Sequence, residues 1–378
     1  MGIGRVREFV RQFDWLLFAS MIGLMGMGST VLYSIAVGRE GGDLSLVKKQ
    51  IFVAVVGVAL FFIVSSIDYH TWQGLGPYLY VATILVLGLV LVNGQTVNAT
   101  RGWLSLGGWR VQPVEFAKGV AVIVLAAYFA RRARSLGHLT YVLQSVVLVG
   151  VMAGLVLLQP DFGSAAIFFA LWLFLLLVIG VKRRYVVGLM IFVLVALLSG
   201  WLFFFKPYQK ERIKTFFFPS DRTAAQSYNV RQAVIAVGAG GLTGRGLGQG
   251  SQSQLRFLPE AETDFIFAVL AEELGFVGVL LLLGLFAVLY QRLLALFRRC
   301  RDDFGSFILL ATIILTLVEV FVNAGMTMGL FPVVGIPLPL VSAGGSSLLA
   351  HAILLGVVES IARQERRSGY RLARVYAG

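Results

Sequence analysis

Long apolar runs separated by short polar segments occupy most of the chain. Ten of these runs contain about 16 to 26 residues, close to or above the length at which a helix crosses a hydrocarbon core roughly 30 Å thick. They cover residues 14–37, 50–66, 76–93, 113–130, 141–158, 163–181, 185–205, 265–290, 305–326 and 347–362. The pattern predicts an all-α polytopic membrane protein with ten transmembrane helices, organised as a single domain over residues 1–378.

The composition agrees with this prediction. Of 378 residues, 58% are hydrophobic and 13% are charged, whereas a soluble domain carries about a quarter charged residues. A composition so poor in charge excludes an ordinary soluble domain.

The positions of Lys and Arg predict how the spans are oriented. With the N-terminus inside, eighteen of these residues fall in inner segments and five in the short outer loops. Because cytoplasmic segments are enriched in Lys and Arg, both termini are expected to be cytoplasmic. Topology and attraction to anionic lipid then account for the net charge of +13, and no nucleic-acid binding is expected.

One connection, residues 206–263, is far longer than the others and is predicted to be extracytoplasmic. It has roughly 58 residues, and loops of that length are usually functional or disordered. Val230, Val234 and Val237 have helical spacing, which favours an amphipathic segment along the membrane interface. The following GLTGRGLGQG lacks the lysine and hydroxyl ending of a phosphate-binding loop, so a nucleotide site is not expected.

Two Gln-Pro elements lie on the outer side. In QPVEFAK (112–118), Glu115 and Lys118 are three residues apart, share a helix face and can form an ion pair. The pair either only makes burial of the two charges tolerable or also holds a pyrophosphate or polar sugar at the water boundary. In QPDFG (159–163), Asp161 is either a turn or cap residue or a further acid of the same site.

Acids gather where the long loop enters the eighth span, in LPEAETDFIFAVLAEELG (258–275). Thr263 is a candidate N-cap, and Asp264 then lies where helix N-terminal N–H groups favour an anion. Asp264 either compensates the helix dipole or is an ionised carboxylate at a cavity mouth that accepts a proton from a hydroxyl. Glu272 falls on nearly the same face, about 12 Å deeper. It is either a functional residue or the partner of an internal Arg or Lys.

Residues 329–350 combine three prolines and a Gly-Gly pair with several serines. Irregular backbone at membrane depth is tolerated only where protein or a water-filled cavity covers it. The segment is expected to line a cavity under the long loop, or else to be an ordinary re-entrant turn. Glu319 and Asn323 are expected to make polar contacts between helices, and the three histidines are too scattered for a metal site.

Several of these motifs together resemble the SEDS family of peptidoglycan glycosyltransferases. The resemblance is carried by RGWLSLGGWRVQPVEFAK, QPDFGSA, SYNVRQAVIAVGAGGLTGRGLGQGSQSQLRFLPEAETDFIFAVLAEELGFVG and FPVVGIPLPLVSAGGSS. The motifs follow the family's order along the whole chain, and GQGSQSQLRFLPE is more similar to RodA-type elongation polymerases than to FtsW-type division polymerases. The chain departs from the family at Val114, where serine is common, and at Ala343, where tyrosine is common.

The resemblance implies a function and a partner. It implies ten spans and the polymerisation of lipid II, a lipid-linked disaccharide-peptide, at the outer face of the cytoplasmic membrane during elongation. It implies a class B penicillin-binding protein as the partner that supplies the transpeptidase. By their places in the family motifs, Asp264 is the proposed catalytic residue, and Glu115, Lys118 and Asp161 are matching motif residues.

The chemistry of that substrate needs one base and a means to stabilise the leaving pyrophosphate. Inversion from an α-linked donor to a β-linked glycan requires one displacement, in which Asp264 accepts the proton of the acceptor 4-hydroxyl. A divalent cation (Mg²⁺ or Mn²⁺, with Asp264 as a candidate ligand) or basic groups would stabilise the leaving group, and no organic cofactor is expected. The candidate support or substrate-binding residues are Glu115, Lys118, Asp161, Arg101, Arg212, Lys214, Arg256, Glu260, Ser342 and Ser346.

Other functions are compatible with the same pattern. A lipid II flippase would need polar positions facing both sides and often has paired repeats with broken helices. A scaffold without activity would not need Asp264, and a division-type polymerase is the alternative within the family. The candidate residues gather on the outer side, which favours the enzyme.

Overall fold

The computed structural model describes residues 12–38, 43–97, 100–132, 138–199, 224–255 and 257–376. Ten long helices follow the ten predicted spans, and two further helices lie in the long loop between α7 and α10. The helices are α1 (Trp15–Gly38), α2 (Ser45–Ser65), α3 (Tyr69–Asn93), α4 (Pro113–Ala130), α5 (Leu139–Leu158), α6 (Phe162–Ile179), α7 (Arg183–Ser199), α8 (Ala224–Gly240), α9 (Ser251–Gln254), α10 (Ile266–Arg299), α11 (Asp303–Thr327) and α12 (Gly345–Tyr376).

Nine helices within the described ranges are long and apolar enough to cross a membrane. The remaining span, α7, has 17 residues and ends at the border of the described residues. The prediction of an all-α polytopic membrane protein is confirmed, with the count of ten depending on α7.

Several helices extend beyond the boundaries predicted from hydropathy. The start of α2 lies at Ser45 instead of residue 50, and α10 continues to Arg299 instead of residue 290. Charged side chains such as Lys48 and Lys49 end an apolar run, but they are exposed. Long cationic side chains reach water from a helix end without interrupting its hydrogen bonds, so the helix continues past the apolar run.

The outer connection between α3 and α4 forms a three-stranded antiparallel sheet that the apolar pattern did not predict. It consists of β1 (Gln95–Val97), β2 (Thr100–Leu106) and β3 (Trp109–Val111), in the order β1-β2-β3. Gly107 and Gly108, with φ of 55° and 86°, form the two-residue turn between β2 and β3, a conformation that suits glycine. The Arg101 amide donates to the Gln159 carbonyl at 3.1 Å, which fixes the sheet beside the start of α6.

The eighth span, α10, is broken at Gly275, where φ is 64° and ψ is −162°. The glycine-rich loop, residues 241–250, supplies the hydrogen bonds that the break removes. Four backbone bonds join the two segments, Arg245 N–H to Glu272 O, Gly246 N–H to Glu273 O, Phe276 N–H to Gly241 O and Val277 N–H to Leu242 O, all between 3.0 and 3.1 Å. Backbone polar groups at membrane depth must be satisfied by protein, so this loop completes α10.

The loop helix α8 forms where helical spacing predicted it, but it packs against α10 instead of lying only along the membrane interface. Ala233 and Ala236 are fully buried, while Val234 is exposed. At Gly240 a side-chain carbon would overlap the Ala271 carbonyl. Small residues therefore allow α8 to approach the α10 backbone closely.

The two deep acids of α10 anchor the long loop. Glu272 accepts hydrogen bonds from the Gln252 amide at 3.0 Å and the Ser251 hydroxyl at 3.2 Å. Glu273 accepts from the Gln254 side-chain amide of the loop at 3.3 Å and from the Ser34 hydroxyl of α1 at 2.5 Å. Neither acid forms an ion pair with an Arg or Lys in the described part of the chain, so the predicted basic partner of Glu272 is not found there.

At the opposite, inner end of the bundle, Asp14 joins three helices. Its carboxylate pairs with Arg292 of α10 at 2.5 Å and with Arg366 of α12 at 3.0 Å. Its amide donates to Glu359 of α12 at 3.0 Å. The inner ends of α1, α10 and α12 are therefore held together by charge.

Candidate active site

The turn that carries Asp264 precedes α10 and is held by its own backbone. Glu260 adopts a left-handed φ of 54°, and its carbonyl accepts from the amides of Thr263 and Phe265 at 3.2 Å. Phe265 occupies the N-cap position and makes no side-chain cap bond, whereas the Thr263 hydroxyl bonds to Glu260 at 3.0 Å. The prediction that Thr263 caps the helix is therefore wrong, and Asp264 lies just before the first helical turn.

The irregular segment 331–344 packs directly on this turn. Asn323 of α11 donates from Nδ2 to the carbonyls of Asp264 at 3.0 Å and Ile336 at 2.8 Å, and so joins the two segments. At Gly335, where φ is 70°, an added side-chain carbon would lie only 3.5 Å from Asp264 Oδ2. The segment thus forms one wall around the Asp264 carboxylate.

Ser342 and Ser346 fasten this wall to its neighbours. The Ser342 hydroxyl donates to the Thr263 carbonyl at 2.6 Å and accepts from the Leu338 amide at 2.8 Å. The Ser346 hydroxyl accepts from the Gln112 amide at 2.9 Å, just before α4. Both serines therefore position backbone around the candidate site, and direct contact with substrate stays a prediction.

Four ionisable side chains form a buried network beside the site. Lys118 Nζ lies 2.9 Å from Glu115 and 2.5 Å from Glu319 of α11. The other oxygen of Glu319 lies 2.8 Å from His351 Nε2 on α12. The network links α4, α11 and α12, and each of its charges has a partner, as burial of charge requires.

His351, which the sequence pattern did not identify as a site residue, belongs to this network. Its Nδ1 lies 2.8 Å from the Ser347 carbonyl, and its Nε2 faces the Glu319 carboxylate. A doubly protonated imidazolium satisfies both of these acceptors, and it balances the charges of two carboxylates and one ammonium. The available signal was an ionisable residue inside the last apolar run, since such residues rarely occur there without a role.

Asp161 is a helix cap and also lies within electrostatic range of the other acids. Its carboxylate accepts from the Ser164 amide at 2.9 Å and hydroxyl at 2.8 Å, which caps α6. Burial raises the pKa of Asp161 above its usual value, although the bonds from Ser164 and the charge of Lys118 oppose that shift. Both predictions for Asp161, cap and acid beside the site, are compatible with this position.

Asp264 has the chemical environment expected of a base. Burial raises its pKa to about 7, and the negative charges of Glu260 and Asp161 act in the same direction. No described residue donates a hydrogen bond to its carboxylate. A partly exposed carboxylate with a pKa near neutrality can take up a proton during a reaction and release it afterwards.

The basic residues predicted to bind substrate or stabilise the leaving group lie in several different places. Lys118 is compensated by two carboxylates in the buried network. Arg101 is exposed, and its guanidinium donates to the carbonyls of Val92 at 2.7 Å and Gly94 at 3.0 Å, at the end of α3. Arg212, Lys214 and Arg256 lie outside the described residues, as does the part of the loop predicted to roof a cavity.

The described residues contain no cluster of three or more His, Cys, Asp or Glu side chains arranged to hold a metal ion. Mg²⁺ is often bound by only one or two carboxylates together with substrate phosphates. The carboxylates of Asp264 and Asp161 are close enough for the charge of Asp161 to act on Asp264, and a metal ion held by them stays a prediction.

Comparison with known proteins agrees with the motifs. The FtsW/RodA/SpoVE family profile, described as cell cycle protein, matches residues 12–367. The peptidoglycan glycosyltransferase MrdB of Escherichia coli K12 is 36% identical over 348 residues, which cover 92% of this chain and 93% of that protein.

Two solved structures are also similar. RodA of Thermus thermophilus has 29% identity and a TM-score of 0.68, covering 93% of this chain and 97% of that chain. A chain from a peptidoglycan synthase complex that coordinates polymerization and crosslinking has 33% identity and a TM-score of 0.77, covering 93% and 98%. The chain belongs to the FtsW/RodA/SpoVE family, the SEDS family that its motifs resemble.

Proposed function

We propose that this protein is a RodA-like peptidoglycan glycosyltransferase that polymerises lipid II at the outer face of the inner membrane. The proposal rests on the carboxylate of Asp264, which lies at the outer end of the bundle and has a pKa of about 7. The family membership and the similarity to a peptidoglycan glycosyltransferase support the reaction class.

In the proposed reaction Asp264 is the general base. The acceptor 4-hydroxyl attacks the anomeric carbon of the donor and loses its proton to Asp264. The bond from that carbon to the pyrophosphate oxygen breaks, and the leaving group takes the electron pair. An α-linked donor gives a β-linked product in one such displacement, so no covalent intermediate with the protein is required.

The neighbouring residues set the basicity and position of Asp264. The charge of Glu260 and the burial of the carboxylate keep its pKa close to the pH at which a base is most effective. Gly335 leaves room beside the carboxylate. The buried network of Lys118, Glu115, Glu319 and His351 fixes α4, α11 and α12 around the site.

The developing charge on the pyrophosphate needs compensation from outside the buried network. A divalent cation would supply it when bound, and Asp161 is the buried carboxylate that would be available to hold it while Asp264 acts as the base. Arg101, at the outer sheet, is an exposed basic group on the same side of the membrane. Arg212, Lys214 and Arg256 remain candidates of the long loop.

A partner that crosslinks the glycan belongs to this proposal. One structural relative is part of a peptidoglycan synthase complex that coordinates polymerization and crosslinking. By analogy, a class B penicillin-binding protein is the proposed partner of this chain.

The break in α10 does not favour a flippase. In transporters, broken helices frame a substrate site near the membrane midplane. Here the glycine-rich loop fills the break and bonds the freed backbone groups.

The decisive experiment uses the purified full chain with lipid II in the presence of Mg²⁺ or Mn²⁺. Glycan strands resolved by electrophoresis are the expected product, while protein-containing liposomes should not transfer lipid II between leaflets. Transfer of lipid II without strand formation would identify the protein as a flippase and would contradict the proposed enzymatic function.

A further inference from the structure

A second site lies at the inner end of the bundle, far from Asp264. A cavity of about 520 Å³ opens between the end of α10, the linker that follows it and α12. Five arginines line it, namely Arg292, Arg298, Arg299, Arg301 and Arg366.

The charges in this cavity are only partly compensated. Asp14 pairs with Arg292 and Arg366, and Glu365 is the acid of the lining, where it accepts from the Arg301 amide at 3.3 Å. The guanidinium groups of Arg298, Arg299 and Arg301 are exposed and form no ion pair with a described residue. Counting Asp14 and Glu365 against the five arginines leaves three positive charges in excess.

Apart from Cys300, the remaining lining residues are apolar. Ala295, Leu296 and Ala362 form the wall that faces the bundle. A ligand that fits this cavity therefore carries a negative group for the arginines and apolar atoms for this wall. A small soluble anion would bond the guanidinium groups but leave the apolar wall in contact with water.

The position of the cavity narrows the class of ligand. Arg298 and Arg299 lie in the last turn of α10, where this span reaches the inner boundary of the membrane. Basic pockets between spans on the cytoplasmic side bind the headgroups of anionic lipids. We propose that this cavity binds the phosphodiester headgroup of an anionic phospholipid from the inner leaflet, with its glycerol and upper acyl chain against the apolar wall.

The cavity distinguishes this site from the general excess of positive charge on the inner face. Arg183 and Arg184, at the start of α7, are also on that face but do not line the cavity. They are the matched control, because replacing them removes the same charge from the same side of the membrane.

The test compares Arg298→Gln/Arg301→Gln with Arg183→Gln/Arg184→Gln in full-length protein. Retained phosphatidylglycerol and phosphatidylcholine are measured by native mass spectrometry of protein released from nanodiscs. Each arginine near the surface contributes about 1 kcal/mol to anionic-lipid binding, so the cavity variant is expected to bind phosphatidylglycerol about thirty-fold more weakly. The control variant should bind it nearly as well as the unaltered protein.

A second variant tests the cavity without changing charge. Ala295→Phe fills the space beside the arginines, and it too should reduce binding of phosphatidylglycerol. Equal losses in both arginine variants, or unchanged binding by Ala295→Phe, would show that diffuse surface charge binds the lipid without the cavity. Either result would overturn the proposal. Displacement of the lipid by millimolar inorganic phosphate would instead indicate a site for a soluble anion and would overturn the proposal.

Discussion

Gly335 lies directly against the carboxylate of Asp264: a side-chain carbon added to this glycine would lie 3.5 Å from Asp264 Oδ2. The two residues belong to segments that are far apart in sequence and meet at the outer end of the bundle. Because φ of Gly335 is 70°, a larger residue would be strained there. The glycine therefore shapes the space in which a substrate hydroxyl could reach the acid.

The first prediction concerns the base itself. Asp264→Asn keeps the size of the side chain but cannot accept the proton, so polymerisation of lipid II should fall by about 10²- to 10⁴-fold. The measurement is the initial rate of strand formation by purified protein. Asp43→Asn, at an exposed outer carboxylate outside the site, is the control and should keep normal activity. Equal rates for Asp264→Asn and the unaltered protein would refute the assignment.

The second prediction concerns pH. The pKa of Asp264 is raised from 3.8 to about 7, and a base acts only when it is deprotonated. Activity should therefore be low at acidic pH and rise through about pH 7. The effect on stability has the opposite direction, because the folded state favours the protonated acid. Its stabilising contribution is complete below about 3.8 and is lost as the pH rises to about 7.

Glu260 offers a specific check of that pH dependence. Its negative charge raises the pKa of Asp264, so Glu260→Gln should move the midpoint of the activity profile to lower pH. The profile of Asp43→Asn should stay in place. A Glu260→Gln midpoint at or above that of the unaltered protein would contradict the electrostatic argument.

The third prediction concerns the buried network. Lys118→Met leaves Glu115 and Glu319 buried without their shared ammonium partner, which should cost about 3–5 kcal/mol of stability. Thermal unfolding in detergent measures the loss. Lys48→Met removes an exposed lysine and should change stability by less than about 0.5 kcal/mol. Similar melting temperatures for both variants would show that the network does not stabilise the bundle.

The fourth prediction compares two glycines of the long loop. At Gly244, φ is 81° and a side-chain carbon would overlap the Glu273 carbonyl, so Gly244→Ala should detach the loop from α10 and lower the melting temperature. Gly238 lies within α8 with open space around it. Gly238→Ala should be neutral or stabilising by about 0.5–1 kcal/mol.

Amide hydrogen exchange gives the local measurement for this pair. Residues 241–250 should lose protection in Gly244→Ala and keep it in Gly238→Ala. If both variants exchange like the unaltered protein, the loop does not depend on the close backbone approach at Gly244.

The sequence predicted the spans well because a membrane helix must be apolar over its whole length. It also predicted the Glu115–Lys118 pair, since residues three apart on a helix are neighbours. Which helices these charges would face was not predictable, because Glu319 and His351 come from spans that are distant in sequence. The spacing of the three histidines bears only on a metal site and does not show that His351 faces Glu319.

The long loop shows a second limit. Its glycines indicated close backbone approach, but the partner could only be identified once α10 was seen to be broken at Gly275. A single glycine in an apolar run does not indicate a break, because glycine is frequent in transmembrane helices. The Gly107–Gly108 pair is a hairpin signal, but the strands beside it are too short to stand out in the pattern of apolar runs.

The shared hydrogen bonds between α10 and the glycine-rich loop also constrain how the protein matures. Before the loop docks, the backbone groups of Glu272, Glu273, Phe276 and Val277 lack these partners, and each such group costs several kcal/mol in lipid. The outer part of α10 therefore reaches its final depth together with the loop that precedes it during synthesis. We therefore expect insertion of this part of α10 to be coupled to docking of the glycine-rich loop.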